Sequence, residues 1–207
     1  EMLRPEVAKI RDEGAQLADG GRLVRRLETR VGTLNYALQT SEDGRQVVAL
    51  LYDPLIALDV NLQPIPAMVA RWEMLDEGKT YLLHLDPRAT FSDGKPVLAS
   101  DVIFTITKMA GEESVQSAPW SSDLDRDATA VVSERTARIA FKEPRAGRIF
   151  SFTIAPMPAH VYGAGDFAKN QKVVGNGPYV LRRRNRDGSI LIERRDDYWR
   201  EQPHIES

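Results

Sequence analysis

The stretch that decides the fold is Gly78-Lys79-Thr80-Tyr81-Leu82-Leu83-His84-Leu85, then Ala89-Thr90-Phe91-Ser92-Asp93-Gly94-Lys95-Pro96, then Ala99-Ser100-Asp101-Val102-Ile103-Phe104. Its first part alternates, with Tyr81, Leu83 and Leu85 on one face, the pattern of a half-buried strand. Asp93-Gly94 marks a turn. The last part predicts a helix from Asp101 to Ala110. Ser100 is the expected N-cap, because its hydroxyl can accept an orphan backbone N–H, and Asp101 in the first turn suits the helix dipole. Val102, Ile103, Ile106 and Met109 then form the buried stripe. Just upstream, Arg71 to Leu75 predicts a second strand, joined to Thr80–Leu85 as a hairpin through Asp76-Glu77-Gly78-Lys79. Downstream, Ala128 to Ser133 and Thr136 to Lys142 predict a second hairpin, with Ala137, Ile139 and Phe141 facing inward. Strands interleaved with a helix define a mixed α/β unit reaching to about residue 172.

Working outward, Pro5 to Ala18 reads as a short polar helix with a thin apolar stripe, ended by Asp19-Gly20-Gly21. Arg22 to Thr29 reads as a strand. A polar loop spans Tyr36 to Asp43, and Gly44 to Leu58 has helical spacing of Val47, Val48, Leu50, Leu51 and Leu55, with Pro54 ending or kinking it. Gly175-Asn176-Gly177-Pro178 is a tight turn. Tyr179 to Arg184 and Ser189 to Arg194 are strands joined through Asn185-Arg186-Asp187-Gly188, a good hairpin signal. Asp196 to Trp199 reads as a turn packing two aromatics on the sheet.

Composition narrows the chemistry. The chain has 207 residues, 42% hydrophobic and 28% charged, with formal net charge -2. That is the mix of a globular protein, with no field favouring nucleic acid or an anionic membrane. No apolar run reaches the roughly 18 residues of a membrane span, and no signal peptide is visible at the polar start Glu1-Met2-Leu3-Arg4. Cysteine is absent, which removes disulfides, thiolate metal sites and a cysteine nucleophile. The three histidines, His84, His160 and His204, do not sit at metal-ligand spacing from one another; His84 reads as a half-exposed strand residue. Neither a G-x-S-x-G elbow nor a P-loop is present. Asp76, Asp93 and Asp187 sit beside turns, where Asp serves local hydrogen bonds. The basic cluster Arg182-Arg183-Arg184, Arg186, Arg194 and Arg195 is interleaved with Asp187, Glu193, Asp196 and Asp197, as on a solvated strand face.

The run 78–104 resembles the signature of the family 5 extracellular solute-binding proteins, the oligopeptide-, dipeptide- and nickel-binding receptors: a strand, an "F-x-D-G-x-P" turn and a helix opening "A-x-D-V". Leu51-Tyr52-Asp53-Pro54-Leu55, Pro64 to Trp72, Ala155 to Tyr162, Val174 to Tyr179 and Arg194 to Trp199 resemble further family segments, as do Gly20 to Val24 and Gly32 to Asn35. The likeness covers residues 20 to 205, with Asn176 in place of Thr and Arg195-Asp196 in place of Arg-Asn. It implies a periplasmic binding protein type II-like fold of mixed α/β class: a first lobe with an inserted satellite domain. On this reading residues 1–21 are an N-terminal helix and linker, 22–50 and 173–207 build the lobe I sheet, and 51–172 form the satellite. Family members are far longer, so a second lobe is expected after Ser207, and the chain is expected to be a cut piece of such a receptor.

The resemblance also implies function: a non-enzymatic receptor outside the cytoplasm, periplasmic or membrane-associated, that captures a peptide or similar solute and hands it to an ABC transporter permease. No cofactor and no nucleic acid are implied, and membrane contact comes only through the permease or a removed lipid anchor. Peptide, sugar, metal chelate and opine-like solutes all stay open. The ligand-binding candidates are Thr40, Ser41 and Arg45, in the loop Ala37 to Arg45, and Trp120. For the first three the alternative is ordinary loop and capping chemistry; for Trp120 it is packing. An isolated lobe is expected to fold but to bind weakly. The rival function is the ligand-sensing domain of a transcription regulator on the same fold. It requires a helix-turn-helix, for which residues 1–21 are too short.

Overall fold

The computed structural model describes residues 19–111, 120, 122–164, 167 and 169–207; the expected helix Pro5–Ala18 lies outside them. At the centre is a four-stranded antiparallel sheet built from β3 (Val69–Leu75), β4 (Thr80–Leu85), β5 (Ala130–Ser133) and β6 (Thr136–Ala140), in the order β3-β4-β6-β5. β1 (Ile56–Leu58) and β2 (Pro64–Pro66) form a small hairpin, as do β7 (Tyr179–Arg184) and β8 (Ile190–Arg194). The helices are α1 (Glu42–Leu51), α2 (Ala99–Met109) and the single turn α3 (Ala159–Tyr162).

The β3–β4 hairpin forms as its alternation predicts. Tyr81, Leu83 and Leu85 face inward from β4, opposite Ala137 and Ile139 of β6, and α2 lies over β5 and β6 with Val102, Ile106 and Met109 buried. Trp120, Phe141 and Phe152 complete this core; the Trp120 and Phe141 rings stack at 5.9 Å. Full burial of one such ring removes enough apolar surface to contribute about 2–3 kcal/mol. A smaller cluster of Val31, Leu34, Val48, Leu51, Tyr52 and Ala155 joins α1 to the segments around it.

The start of α2 differs from the expectation. Ser100 is not its N-cap: the helix begins at Ala99, and the Asp101 carboxylate reaches back to accept the Leu98 N–H (2.9 Å) while its other oxygen accepts the Ala159 N–H (2.8 Å). The side chain that satisfies the free N–H is therefore one residue further on. Burial lifts the Asp101 carboxyl above its ordinary value, against these two N–H donors.

The helix expected over Gly44–Leu58 is shorter and shifted. It spans Glu42–Leu51, and beyond Pro54 the chain is drawn into β-type pairing, with Leu55 N–H donating to the Ile154 carbonyl (2.7 Å) and Val69 N–H to the Leu55 carbonyl (2.9 Å). Residues 22–29, expected as a strand, belong to no strand or bridge among the described residues, and the chain bends at Glu28 and Thr29.

One motif from the later part of the chain packs on the end of α1. The Gly175-Asn176-Gly177 turn presses on the Leu51–Tyr52 peptide. A Cβ at Gly175 would sit 1.9 Å from the Leu51 carbonyl oxygen, so only glycine fits there. The fully buried Asn176 accepts the Asp53 N–H (3.2 Å) and donates to the Asp53 carbonyl (3.0 Å). Both the oxygen and the nitrogen of its amide are thereby used.

Arg195 departs from the solvated face expected of it. It is buried, pairs with Asp197, and donates to the carbonyls of Phe91 (3.0 Å) and Thr90 (3.2 Å). Arg182 and Arg183 are exposed, as the charge pattern predicts.

Candidate functional site

The loop ahead of α1 is built from side-chain hydrogen bonds to backbone. Asn35 caps a 3-10 turn, Tyr36–Leu38, by accepting the Ala37 N–H (3.1 Å), and donates to the Phe167 carbonyl (3.2 Å). Gln39, buried, is the clamp. Its amide nitrogen donates to the Thr33 carbonyl, and its oxygen accepts from both the Ser41 N–H (2.8 Å) and the Ser41 hydroxyl (3.0 Å). A Cβ on Gly44 would lie 2.1 Å from the Gln39 amide nitrogen, so the clamp requires glycine one turn into α1.

Ser41 is the N-cap of α1: its Oγ accepts the Gly44 N–H (3.2 Å). Arg45 lies on the outer face of the helix, where its guanidinium donates to the Thr40 carbonyl (3.0 Å) and to Glu42 Oε2 (2.6 Å). Thr40 is exposed. On the other side of the first turn, Asp43 Oδ2 accepts the N–H groups of Glu28 (2.9 Å) and Thr29 (2.7 Å) and the Thr29 hydroxyl (2.8 Å). Those donors, led by Thr29, hold the Asp43 carboxyl below its ordinary value.

The structure thus brings Thr40, Ser41 and Arg45 together on one rigid loop. Ser41's hydroxyl is spent on capping, which leaves the Thr40 side chain and the outward guanidinium as surface groups. Trp120 does not join them. It is fully buried against Phe141 and Phe152 and offers no surface to a solute, so the expectation of a cleft-facing ring is corrected to a core role. A large flat apolar side chain gains more from enclosure among rings than from a wet loop. Sequence reading missed Asn35, Gln39 and Asp43. The only available signal was positional: amide and carboxylate side chains next to a helix start, where they find free N–H groups.

Behind the loop, Tyr36 and Tyr52 are in ring contact at 5.7 Å, and the Tyr52 and Tyr162 hydroxyls lie 3.3 Å apart. Tyr162 donates to the Lys172 carbonyl (2.6 Å). Burial raises all three phenols above their ordinary value, Tyr52 most strongly, with Tyr162 as its second cause. They are structural neutral hydroxyls. Among the described residues no group of three His, Asp or Glu side chains is placed to hold a metal ion. His84 pairs with Glu73 (2.8 Å) and Thr136 (3.1 Å), and His160 with Asp93 (2.7 Å), so each is held by its own strand or turn neighbours.

This arrangement of antiparallel sheet, α2 and a capped loop ahead of α1 recurs in the solved structures of solute-binding proteins. It superimposes with a TM-score of 0.82, at 21% identity, on the oligopeptide-binding protein AppA from Bacillus subtilis in complex with a nonapeptide, covering 92% of this chain and 40% of that one. It likewise matches NikZ from Campylobacter jejuni in complex with Ni(L-His) at TM-score 0.76 and 20% identity, covering 86% of this chain and 37% of that one. In sequence it is 30% identical over 181 residues to Protein XP55 of Streptomyces lividans, covering 84% of this chain and 32% of that protein. It is 26% identical over 209 residues to the periplasmic oligopeptide-binding protein OppA of Salmonella typhimurium, covering 90% of this chain and 38% of that protein. A family model described as "Bacterial extracellular solute-binding proteins, family 5 Middle" matches residues 63–207. The chain belongs to family 5 of the bacterial extracellular solute-binding proteins, and it spans between 32% and 38% of the length of these two sequence relatives.

Proposed function

We propose that the chain is the first-lobe portion of a receptor that captures peptides or similar small solutes outside the cytoplasm and delivers them to an ABC transporter permease. The observation that carries this reading is the family match over residues 63–207, within a fold whose structural relatives hold a nonapeptide and a nickel–histidine complex. Binding alone is the mechanism. A cleft between two lobes strips water from the solute, and closure presents an altered surface to the membrane partner. No helix among the described residues is long and apolar enough to cross a bilayer.

In this reading residues 22–50 and 173–207 belong to the lobe and 51–172 to a satellite domain. Thr40 and Arg45 touch solute, and Ser41 fixes the loop that carries them. The test is calorimetric titration of the full-length receptor with di- to nonapeptides and with nickel–histidine. Binding of one class is expected, with Thr40→Ala and Arg45→Ala each weakening it about tenfold at unchanged melting temperature. A full-length receptor that binds neither class overturns the transport reading. Unchanged affinity in both variants overturns the assignment of the loop.

A further inference from the structure

A small cavity of about 150 Å³ opens between β7, residues 33–35 and residues 170–173. Leu34 and Leu181 give it apolar wall, and Thr33, Asn35, Lys172 and Arg184 give it polar groups. No carboxylate lines it among the described residues. At roughly 30 Å³ for each water of the liquid, the space holds a small molecular ion with part of its hydration.

The polar groups are donors with capacity to spare. Arg184 Nη2 donates to the Val31 carbonyl and to the Gly32 carbonyl (3.0 Å), which fixes the guanidinium. Its Nε and Nη1 N–H groups have no acceptor among the described residues. Asn35 is only 3% exposed; its amide nitrogen gives one N–H to the Phe167 carbonyl (3.2 Å) and keeps the other. Thr33 Oγ accepts the Asn35 N–H (3.0 Å), so its own O–H is left to donate. The Lys172 backbone is held on both sides, its N–H by Asn170 Oδ1 (3.0 Å) and its carbonyl by the Tyr162 hydroxyl (2.6 Å). Its ammonium forms no ion pair among the described residues.

Charge balance marks this cavity out. On the same hairpin Arg182 pairs with Glu193 (2.7 Å), and Arg194 pairs with Asp19 (2.7 Å). Arg184 and Lys172 line one cavity and have no acid between them. A cleft lined by a single sign of charge concentrates ions of the opposite sign. A planar guanidinium with parallel N–H groups matches two oxygens of one oxyanion. A neutral occupant would leave both charges unanswered, and a cation would be repelled.

We propose that this cavity binds a small oxyanion, a phosphate, sulfate or carboxylate group, through Arg184 and Lys172, with Thr33 and Asn35 as neutral donors. The site lies at the root of the loop that carries Thr40 and Arg45, because the Thr33 carbonyl receives the Gln39 amide and Asn35 caps Tyr36–Leu38. It stands on the cavity alone and does not depend on the transport reading.

Calorimetric titration of the full-length receptor, free of peptide, with inorganic phosphate, sulfate and acetate at constant ionic strength tests the proposal. Saturable binding of at least one is expected, and their order tells a tetrahedral preference from a carboxylate one. Lys172→Gln removes one charge-assisted contact and is expected to weaken that binding about tenfold at unchanged melting temperature. Arg183→Gln removes the same charge from an exposed position on β7 outside the cavity, and is expected to leave the affinity within about twofold. Binding of none of the three anions overturns the proposal. So does an equal loss in both variants, which reports general attraction to a basic surface, or no loss in either, which places the anion elsewhere. Anion binding in a receptor that takes neither peptide nor nickel–histidine leaves this inference standing and removes only the transport function.

Discussion

The body around the four-stranded sheet and the stretch ahead of α1 are made of similar residues and end differently. In the first, β4 lies between β3 and β6, and its inward side chains Tyr81, Leu83 and Leu85 are buried. In the second, Leu23 and Val24 have equally good strand chemistry yet remain in solvent. Alternation and β-branching describe what a segment can do; a neighbour decides whether it does it. Buried strand residues and exposed ones in one chain are the two outcomes of that rule.

The contrast can be broken most forcefully in the core. Phe141→Ala removes a ring packed on Trp120, Tyr81 and Phe152 and is expected to cost about 3–5 kcal/mol in urea unfolding. Leu23→Ala on the open side is expected to change stability by less than about 0.5 kcal/mol in this chain. Equal costs would mean that Leu23 is covered in solution. At the seam between the two regions, Gly175→Ala drives a methyl into the Leu51 carbonyl, with an expected loss of about 1–3 kcal/mol. Asn176→Ala strands the Asp53 peptide groups and is expected to cost a similar 1–3 kcal/mol by the same measurement. A cost near zero for both would show that the seam does not hold the regions together.

Smaller effects sharpen the picture. Leu62, at φ 60, occupies the left-handed region on the β1–β2 loop with 66% of its surface exposed, so Leu62→Gly is expected to raise stability by up to about 1 kcal/mol. The smallest effect is that of pH. Burial, the largest single influence, opposes ionisation of Asp93, but the hydrogen bonds from His160 and the Lys95 N–H and the charges of both residues together outweigh it and leave the carboxyl below its ordinary value. Its contribution is therefore complete above the ordinary aspartate range and disappears as pH falls through the depressed folded value. Asp93→Asn is expected to flatten that part of the acid limb of a stability–pH curve, by less than about 1 kcal/mol for so exposed a pair.

Much of the central body is legible in the sequence because its signals are local. Thr80–Leu85 alternates, Asp93-Gly94 turns, and Val102, Ile106 and Met109 recur at helical spacing. The start of α2 was misread because serine and aspartate compete for the same N–H, and the reach of Asp101 to Leu98 depends on where Ala159 lies. The buried role of Arg195 was invisible for a related reason: its partners Thr90 and Phe91 are distant in sequence, and charge pattern describes only neighbours. At the candidate site, the loop and its polar residues could be found from position, but the clamp by Gln39 depends on the close passage of Gly44. Trp120 shows the limit most plainly, since nothing in a loop sequence tells whether a ring faces outward or lies against Phe141.

The pairing of Asn176 with Asp53 fixes where the chain passes the end of α1 twice. It runs on past Asp53 and comes back at Asn176, whose amide holds both the N–H and the carbonyl of that one residue. A long excursion of the chain thus begins and ends at a single fastening, and the bonds from Asn35 to the Phe167 carbonyl and from Arg195 to the Thr90 and Phe91 carbonyls secure it at two further points.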